Sequence, residues 1–226
     1  MIRKHKFLLL PVLALAAGVL GSGCQALLLG PVAMIELLFP KSREPAEFKL
    51  PAGKTVLVFP DDMLRPVSYP PVKRALAERI CKTLKDKKLV ANAVPYDSLI
   101  DLQHNEANFN RMAVASVGRR LGADLVIYIN IGEFSLKDSP VGTLWSGRFA
   151  AKVRVVDVRK GRIWPDESAG YPVRIVEPMT DNSSESFGAL LSLKLAGRLA
   201  DEVSGLFHTR YVDRHRPKDT EPRWEE

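Results

Sequence analysis

The sequence predicts an α/β fold in which a mixed sheet of about five to six strands is flanked by three helices. Short apolar runs rich in β-branched residues are typical of buried strands. Longer stretches with apolar residues three or four positions apart are typical of amphipathic helices. The two kinds of segment alternate along a chain of 226 residues, which is long enough for one sizeable core.

The first half of the predicted domain supplies a strand, a helix and a weaker strand. Thr55 to Phe59 is an apolar, β-branched run and predicts a buried strand. A proline-rich loop follows, and Pro71 can occupy a first helical turn. From there to about Lys87 apolar residues recur every fourth position, which predicts an amphipathic helix with the stripe Val72, Leu76, Ile80 and Leu84. Leu89 to Val94 predicts a second strand.

The middle of the chain predicts a helix followed by the strongest strand. Asn108 to Leu121 has helical apolar spacing, and Gly122 suits the left-handed residue that ends a helix. Ala123 to Ile131 is apolar at both alternating sets of positions. Such a run predicts a central strand that is covered on both faces.

The last third of the chain predicts a hairpin, a strand and a long helix. Arg148 to Val158 alternates apolar and basic residues, and a turn at Gly161 leads into a second short strand. Tyr171 to Val176 predicts a further strand. Asn182 or Ser183 can cap the final helix, whose apolar stripe is Phe187, Leu191, Leu195, Leu199, Val203 and Leu206.

The N-terminus has the layout of a bacterial secretory signal. A basic start precedes the apolar stretch from Phe7 to Leu20, and the small residues Gly21-Ser22-Gly23 lead directly into Cys24. A cysteine at this place resembles the lipobox of bacterial lipoproteins, which implies that Cys24 is acylated and becomes the mature N-terminus. Leu20 stands four positions before Cys24, whereas the usual pattern places it three positions before.

A retained transmembrane helix is the alternative interpretation of this region. Phe7 to Leu20 is shorter than the ~20 residues that span a hydrocarbon core, and Pro11 lies inside it. A second apolar run, Ala26 to Phe39, is interrupted by Gly30-Pro31 and carries Glu36. The two runs together could form a poor anchor, but the length of the first favours the lipoprotein interpretation.

These patterns predict four segments. Residues 1–23 are a lipoprotein signal peptide, and residues 24–53 form an acylated, apolar membrane-proximal segment and tether. Residues 54–212 form a single α/β domain, and residues 213–226 a charged, disordered tail. Gln25 stands where an aspartate would imply inner-membrane retention, so the sequence resembles lipoproteins of the outer membrane that face the periplasm. Anchoring in the inner membrane stays an alternative.

The charge of the chain argues against a nucleic-acid partner. The formal net charge is +7. Removal of residues 1–23 takes away three basic residues and leaves 30 basic against 26 acidic side chains, a net charge of +4. This mild excess is spread along the chain, so it gives little support for nucleic-acid binding, although attraction to anionic lipid or glycan remains open.

Two short phrases of sequence resemble a known family. Leu121-Gly122-Ala123-Asp124 leads into an apolar strand, and Val153 to Val158 (VRVVDV) is followed by a Lys-Gly turn and the aromatic Trp164. In this order they resemble the periplasmic lipoprotein domains related to the curli-secretion lipoprotein CsgG and the penicillin-binding-protein activator LpoB. The resemblance covers about Lys54 to Phe207. It implies a mixed sheet flanked by helices and supplies no site residues.

The resemblance implies two kinds of function. LpoB-like domains bind an envelope protein, which predicts a non-catalytic accessory or activator of cell-wall synthesis or secretion. CsgG-like proteins oligomerise into a secretion channel, so self-association is the alternative. A hydrolase with an unrecognised site is a third option. The sequence shows no G-x-S-x-G, H-E-x-x-H or phosphate-binding motif, and we expect neither catalysis nor a cofactor.

One group of residues is the candidate partner-binding site of the sequence. Basic side chains gather on the predicted hairpin, where they could meet an acidic protein or an anionic glycan, although a solvated sheet face is the simpler interpretation. A tryptophan in the same hairpin could be an anchor or part of the packing. The candidate residues are Arg148, Lys152, Arg154, Arg159, Lys160, Arg162 and Trp164.

Three other features favour structural interpretations. Asp61-Asp62 follows the first predicted strand and could bind a cation, but loop and turn chemistry is the simpler explanation. His208 and His215 could be a metal pair, but they have no neighbouring carboxylate or thiolate. Cys81 would be alone once Cys24 is acylated, and we expect a buried, inert thiol.

Overall fold

The computed structural model describes residues 41–63, 65–136, 144–182 and 184–213. The predicted signal peptide, Cys24, the apolar run 26–39 and all of the predicted tail 213–226 except its first residue lie outside the described residues. The described chain divides into two compact units. The larger unit, Pro45–Arg210, carries the α/β fold, and the smaller one contains Lys41–Glu44 together with the residues that follow Arg210.

The described elements alternate between strands and helices. The strands are β1 (Lys41–Glu44), β2 (Thr55–Asp61), β3 (Asn92–Ala93), β4 (Leu125–Ser135), β5 (Leu144–Asp157), β6 (Gly161–Trp164), β7 (Tyr171–Asp181) and β8 (Arg210–Asp213). The helices are α1 (Pro71–Asp86), α2 (Tyr96–Asn105), α3 (Val114–Arg120) and α4 (Glu185–Gly205), with a 3-10 turn at Phe109–Arg111. The strands β1 and β8 pair with each other in a separate two-stranded sheet.

The main sheet has six strands and is mixed, as the sequence predicts. Its order is β3-β2-β4-β5, and both β6 and β7 pair with the far side of β5. The strands β3, β2 and β4 are parallel, whereas β5 is antiparallel to β4, β6 and β7. Leu144–Val153 of β5 pairs with β7, and Val155–Asp157 pairs with β6, so β6 and β7 lie end to end along one edge of β5.

Helices cover the two faces of the sheet unequally. On one face α1 and α4 pack against each other, α1 also against β2 and α4 against β5 and β7. The short helix α3 packs on the opposite face, where a Cβ at Gly118 would lie 2.4 Å from Cγ2 of Val126. Glycine at this position therefore permits a very close approach of helix and sheet.

The coverage of β4 differs from the sequence expectation of a strand buried on both faces. Leu125, Val126 and Ile127 are all buried, but beyond them Tyr128 and Asn130 are only partly buried and alternate with buried isoleucines. The physical reason is the length of α3, whose seven residues shield only the first part of the strand. The second half of β4 thus has one apolar and one polar face.

The described residues contain four α-helices, whereas the sequence predicts three. The helix α2 was not predicted, because only Tyr96 and Leu99 of its ten residues are buried and the periodic signal is weak. The helix predicted from Asn108 starts later, at Val114, and the 3-10 turn precedes it. No helix among the described residues is long and apolar enough to cross a membrane.

The second half of the fold follows the prediction with longer strands. β5 begins four residues earlier than predicted, at Leu144, and β7 extends to Asp181. The final helix begins at Glu185, after Ser184 at its N-cap. Asn182 accepts a hydrogen bond from the backbone N–H of Ser184 at 2.9 Å, so its side chain shapes the turn just before the helix.

Candidate functional site

Two exposed apolar side chains lie on the solvent side of the first half of α4. Leu190 is 66% and Leu193 is 45% exposed, and the two are three positions apart on the helix. Neighbouring exposed apolar residues favour an interaction surface, and we call this pair the apolar patch. The exposed Val176 does not belong to it, because it lies opposite Arg148 in the β5–β7 ladder and so shares the sheet face away from α4.

A groove of about 350 Å³ lies beside the apolar patch, between α4 and the end of β7. Aromatic and aliphatic side chains form most of its lining, with Glu177 and Lys194 as its charged members. The indole of Trp145 lies edge-on to the ring of Phe187, with 5.9 Å between the ring centroids. Its Nε1 donates to the carbonyl of Asn182 at 2.8 Å. These contacts fix the aromatic wall of the groove in place.

The buried carboxylate of Glu177 ties β7 to α4. Lys194 donates to Oε2 at 2.8 Å, and Arg198 donates to Oε1. Burial alone would raise the pKa of Glu177, but the hydrogen bonds and charges of these two cations outweigh burial and hold the pKa below its ordinary value. Glu177 is therefore ionised at neutral pH and holds the helix against the strand.

The outer edge of β7 is poorly suited to accept another strand. Pro172 and Pro178 have no N–H to donate. Pro172 lies opposite Lys152 of β5, within the ladder. The carbonyl of Val176 already accepts a hydrogen bond from Arg198 at 3.2 Å. Prolines and inward charges are common means of protecting an edge strand.

The structure brings three of the predicted basic residues together on the sheet face opposite α1 and α4. Arg148, Lys152 and Arg154 alternate along β5, and Arg174 of β7 joins them opposite Ala150. Glu133 forms ion pairs with Arg148 at 3.1 Å and with Arg174 at 3.7 Å. The sequence alone does not predict Arg174 as a member of this group, because only strand register reveals that it neighbours the β5 residues.

The other predicted residues of this group lie elsewhere. The backbone N–H groups of Arg159 and Lys160 donate to the carboxylate of Asp157 in the β5–β6 turn. Arg162 donates to backbone carbonyls of the following loop. Trp164 packs in an aromatic cluster with Phe48, Tyr171 and Phe207. The role of all seven residues in binding a partner stays a prediction.

The pair Asp61-Asp62 lies at the carboxyl end of β2, as predicted, and lines a second cavity of about 200 Å³. Lys73 donates to Asp62 at 2.7 Å, and the backbone N–H of Val67 donates to the same carboxylate at 3.0 Å. Asp61 accepts hydrogen bonds from the hydroxyl of Tyr128 and, at 3.0 Å, from the backbone N–H of Met63. Both carboxylates thus shape the loop that follows β2.

Four aromatic side chains line the same cavity. Phe59 lies beside Phe109 and edge-on to Tyr128, with centroid separations of 5.9 and 5.5 Å. Tyr96 is the fourth ring of the lining. Burial and the hydrogen bond to Asp61 raise the pKa of Tyr128, and burial raises that of Tyr96 to about 12. Both phenols are therefore neutral donors at physiological pH.

The remaining candidates from the sequence are the Cys81 thiol and the possible metal pair His208 and His215. Burial raises the pKa of the Cys81 thiol to about 11, so it is a poor nucleophile at neutral pH. His208 lies near the backbone carbonyl of Thr209, and its predicted metal partner His215 is outside the described residues. In the part of the chain that the structure describes, no three His, Cys, Asp or Glu side chains are grouped to hold a metal.

No protein-family model matches the chain, and no curated protein matches it. Solved structures with a similar fold include lipoprotein GNA1162 from Neisseria meningitidis, with 19% identity, a TM-score of 0.42 and a match covering 67% of this chain and 99% of that one. A minor lipoprotein from Acinetobacter baumannii has 9% identity, a TM-score of 0.36 and coverages of 67% and 89%. An uncharacterized lipoprotein B from Nitrosomonas europaea has 9% identity and a TM-score of 0.34, and the match covers 73% of this chain and 86% of that one.

These neighbours are bacterial lipoproteins, and they do not single out the CsgG and LpoB group. The TM-scores are below 0.5, so the similarity carries no information about function or partners. The function of this chain therefore has to follow from its own residues.

Proposed function

We propose that this chain is a lipid-anchored, non-catalytic protein of the bacterial envelope that binds a protein partner as an accessory or activator of an envelope assembly. The signal pattern that ends at Cys24 supports the anchor and the compartment. The observation that carries the binding role is the apolar patch together with its groove, because exposed leucines on α4 beside a largely apolar groove match the centre of a protein interface.

The residues of the apolar patch and groove suit a protein better than a small ligand. Leu190 and Leu193 are three positions apart on one side of α4 and point into solvent, so a facing helix or loop would bury both. Each would then contribute about 1–2 kcal/mol from its exposed apolar area. Trp145 in the groove wall is the kind of rigid aromatic residue that dominates binding energy at interfaces.

The partner in this proposal docks through side chains and adds no strand to the sheet. The outer edge of β7 is a poor partner for another strand, because Pro172 and Pro178 have no N–H to donate and the carbonyl of Val176 already accepts from Arg198. The apolar patch lies on α4, so recognition centres on this helix and its groove.

Site-specific crosslinking in intact cells, followed by reconstitution, tests the proposal. A photoreactive amino acid replaces Leu190, and the matched control carries it at Lys82 on the exposed side of α1. We expect Leu190 alone to capture a distinct envelope protein. In the purified complex, Leu193→Glu should weaken binding at least tenfold, whereas Lys82→Glu should leave it unchanged. Both side chains point to solvent, so both variants should unfold at the wild-type temperature.

Two results would contradict this function. If Leu193→Glu leaves the affinity for the captured protein unchanged, the apolar patch is not part of the interface. Crosslinks only between copies of this chain, together with a large oligomer in detergent, would replace the accessory role by self-assembly, which is the channel-type alternative.

A further inference from the structure

We propose that the cavity at the carboxyl end of β2, beside Tyr128 of β4, binds a small organic cation that carries an ammonium group. This site is separate from the apolar patch, and it can be right or wrong independently of the proposed function. In open α/β sheets, ligands are commonly held at the carboxyl ends of parallel strands. The cavity, of about 200 Å³, has room for a group of only a few heavy atoms.

The charges that line the cavity do not balance. Asp61, Asp62 and Lys73 contribute two negative charges and one positive charge. The cation of Lys73 is already paired with Asp62 at 2.7 Å. Asp61 accepts hydrogen bonds only from neutral groups, the hydroxyl of Tyr128 and the N–H of Met63. Among the described residues no cation forms an ion pair with Asp61, so a positively charged ligand would supply the missing charge.

Two neighbouring arginines are engaged outside the cavity. Arg154 lies opposite Tyr128 on β5, and its guanidinium donates to the carbonyl of Ala169 at 3.3 Å. Arg74 lies over the ring of Tyr96, at 5.5 Å from the ring centroid, and forms ion pairs with Glu78 and with Asp97. Neither guanidinium lines the cavity, so the positive charge available inside it is that of Lys73.

The aromatic walls favour an alkylated ammonium over a metal ion. Phe59, Tyr96, Phe109 and Tyr128 all line the cavity, and the faces of aromatic rings attract ammonium groups while accommodating their methyl or methylene carbons. A hard metal ion would need several oxygen ligands, and the oxygens of Asp62 are already held by Lys73 and Val67. A carboxylate among aromatic rings matches the chemistry of an organic ammonium.

The experiment uses choline and its uncharged isostere, 3,3-dimethylbutan-1-ol, with the full-length chain in a maltoside detergent. Calorimetric titration and the melting temperature are the readouts. We expect choline to bind at millimolar or lower concentration and to raise the melting temperature, and the isostere to do neither. Equal effects of the two compounds, or no response either to free choline or to phosphatidylcholine vesicles, would overturn the proposal.

Variants separate a ligand role of Asp61 from a structural one. Asp61→Asn keeps an oxygen acceptor for Tyr128 and removes the charge, and should weaken choline binding at least tenfold. The matched control, Asp201→Asn, removes a surface carboxylate that pairs with Arg79 on α1 and should leave binding unchanged. Asn110→Asp adds a negative charge to the exposed rim of the cavity and should strengthen binding several-fold.

The source of the ammonium group is resolved by a parallel measurement. Phosphatidylcholine vesicles carry the same group on a lipid headgroup, whereas choline in solution is free. If free choline binds, the ligand is a soluble ammonium compound. If only the vesicles bind, and Asp61→Asn abolishes that binding, the ligand is a lipid headgroup. Binding of choline that Asp61→Asn leaves unchanged would place it outside this cavity and contradict the inference.

Discussion

Glu177 shows how a single buried charge links the sheet to the helix that carries the apolar patch. Its carboxylate is almost fully buried and is hydrogen-bonded to Lys194 and Arg198. Glu177→Gln removes the charge but keeps the shape, and leaves two cations without their anion. We expect the free energy of unfolding at neutral pH to fall by about 1–3 kcal/mol, measured by urea denaturation.

The same residue predicts a pH dependence of stability. The folded-state pKa of Glu177 lies below its ordinary value of 4.5, so on acidification the unfolded chain takes up the proton first. Its stabilisation is therefore complete above about pH 5 and is lost as pH falls through the folded-state pKa. On acidification the free energy of unfolding of the wild type should fall by this contribution. Glu177→Gln lacks the charge at every pH, so its free energy of unfolding should not show this fall. Glu78→Gln, at an exposed position of α1, should behave like the wild type; equal acid curves for all three proteins would refute the assignment.

At the scale of the elements, β7 combines an exposed edge with features that protect it. Replacing Pro172 and Pro178 by threonine would restore two backbone donors along an edge strand. We expect the double variant to self-associate at concentrations where the wild type does not, as measured by sedimentation velocity. Threonines at Pro66 and Pro70, in the loop before α1, are the matched control. A double variant that sediments like the wild type would show that other features protect the edge.

The elements that sequence patterns predict well are those whose burial is one-sided or complete. The α1 stripe from Val72 to Leu84 and the apolar run of β2 are both found, because each forms one continuous contact with the core. The helix α2 was missed because it buries few side chains. The ends of β5 and β7 were missed because their outer residues, such as Leu144 and Met179, do not follow the core pattern.

At the scale of the whole molecule, the candidate sites depend on contacts far apart in sequence. The residue pattern locates Asp61-Asp62 at a strand end, but three of the four aromatic side chains around them come from other segments. The groove beside the apolar patch combines β5, β7 and α4, and the leucines of the patch alternate with core residues of the same helix. Sequence alone therefore indicates which residues carry charge, whereas the fold determines which of them share a surface.

The proposed lipid anchor predicts where the whole molecule is located in the cell. If Cys24 carries the lipid, Cys24→Ser should move the protein from the membrane fraction to the soluble periplasmic or retained precursor pool. Mass spectrometry of the wild type should show an acylated N-terminus at residue 24. Cys81→Ser, which changes the other cysteine of the chain, is the control and should remain with the membrane. An unmodified N-terminus at Met1 would contradict the lipoprotein assignment.

The end-to-end arrangement of β6 and β7 on β5 has a practical consequence. The residues between them, 165–170, connect two strands that already share a neighbour, and Asp166 to Ala169 are exposed. Extra residues placed there would extend outward without interrupting any backbone ladder. An epitope or protease site inserted after Glu167 would therefore report, in living cells, which side of the bilayer this domain occupies.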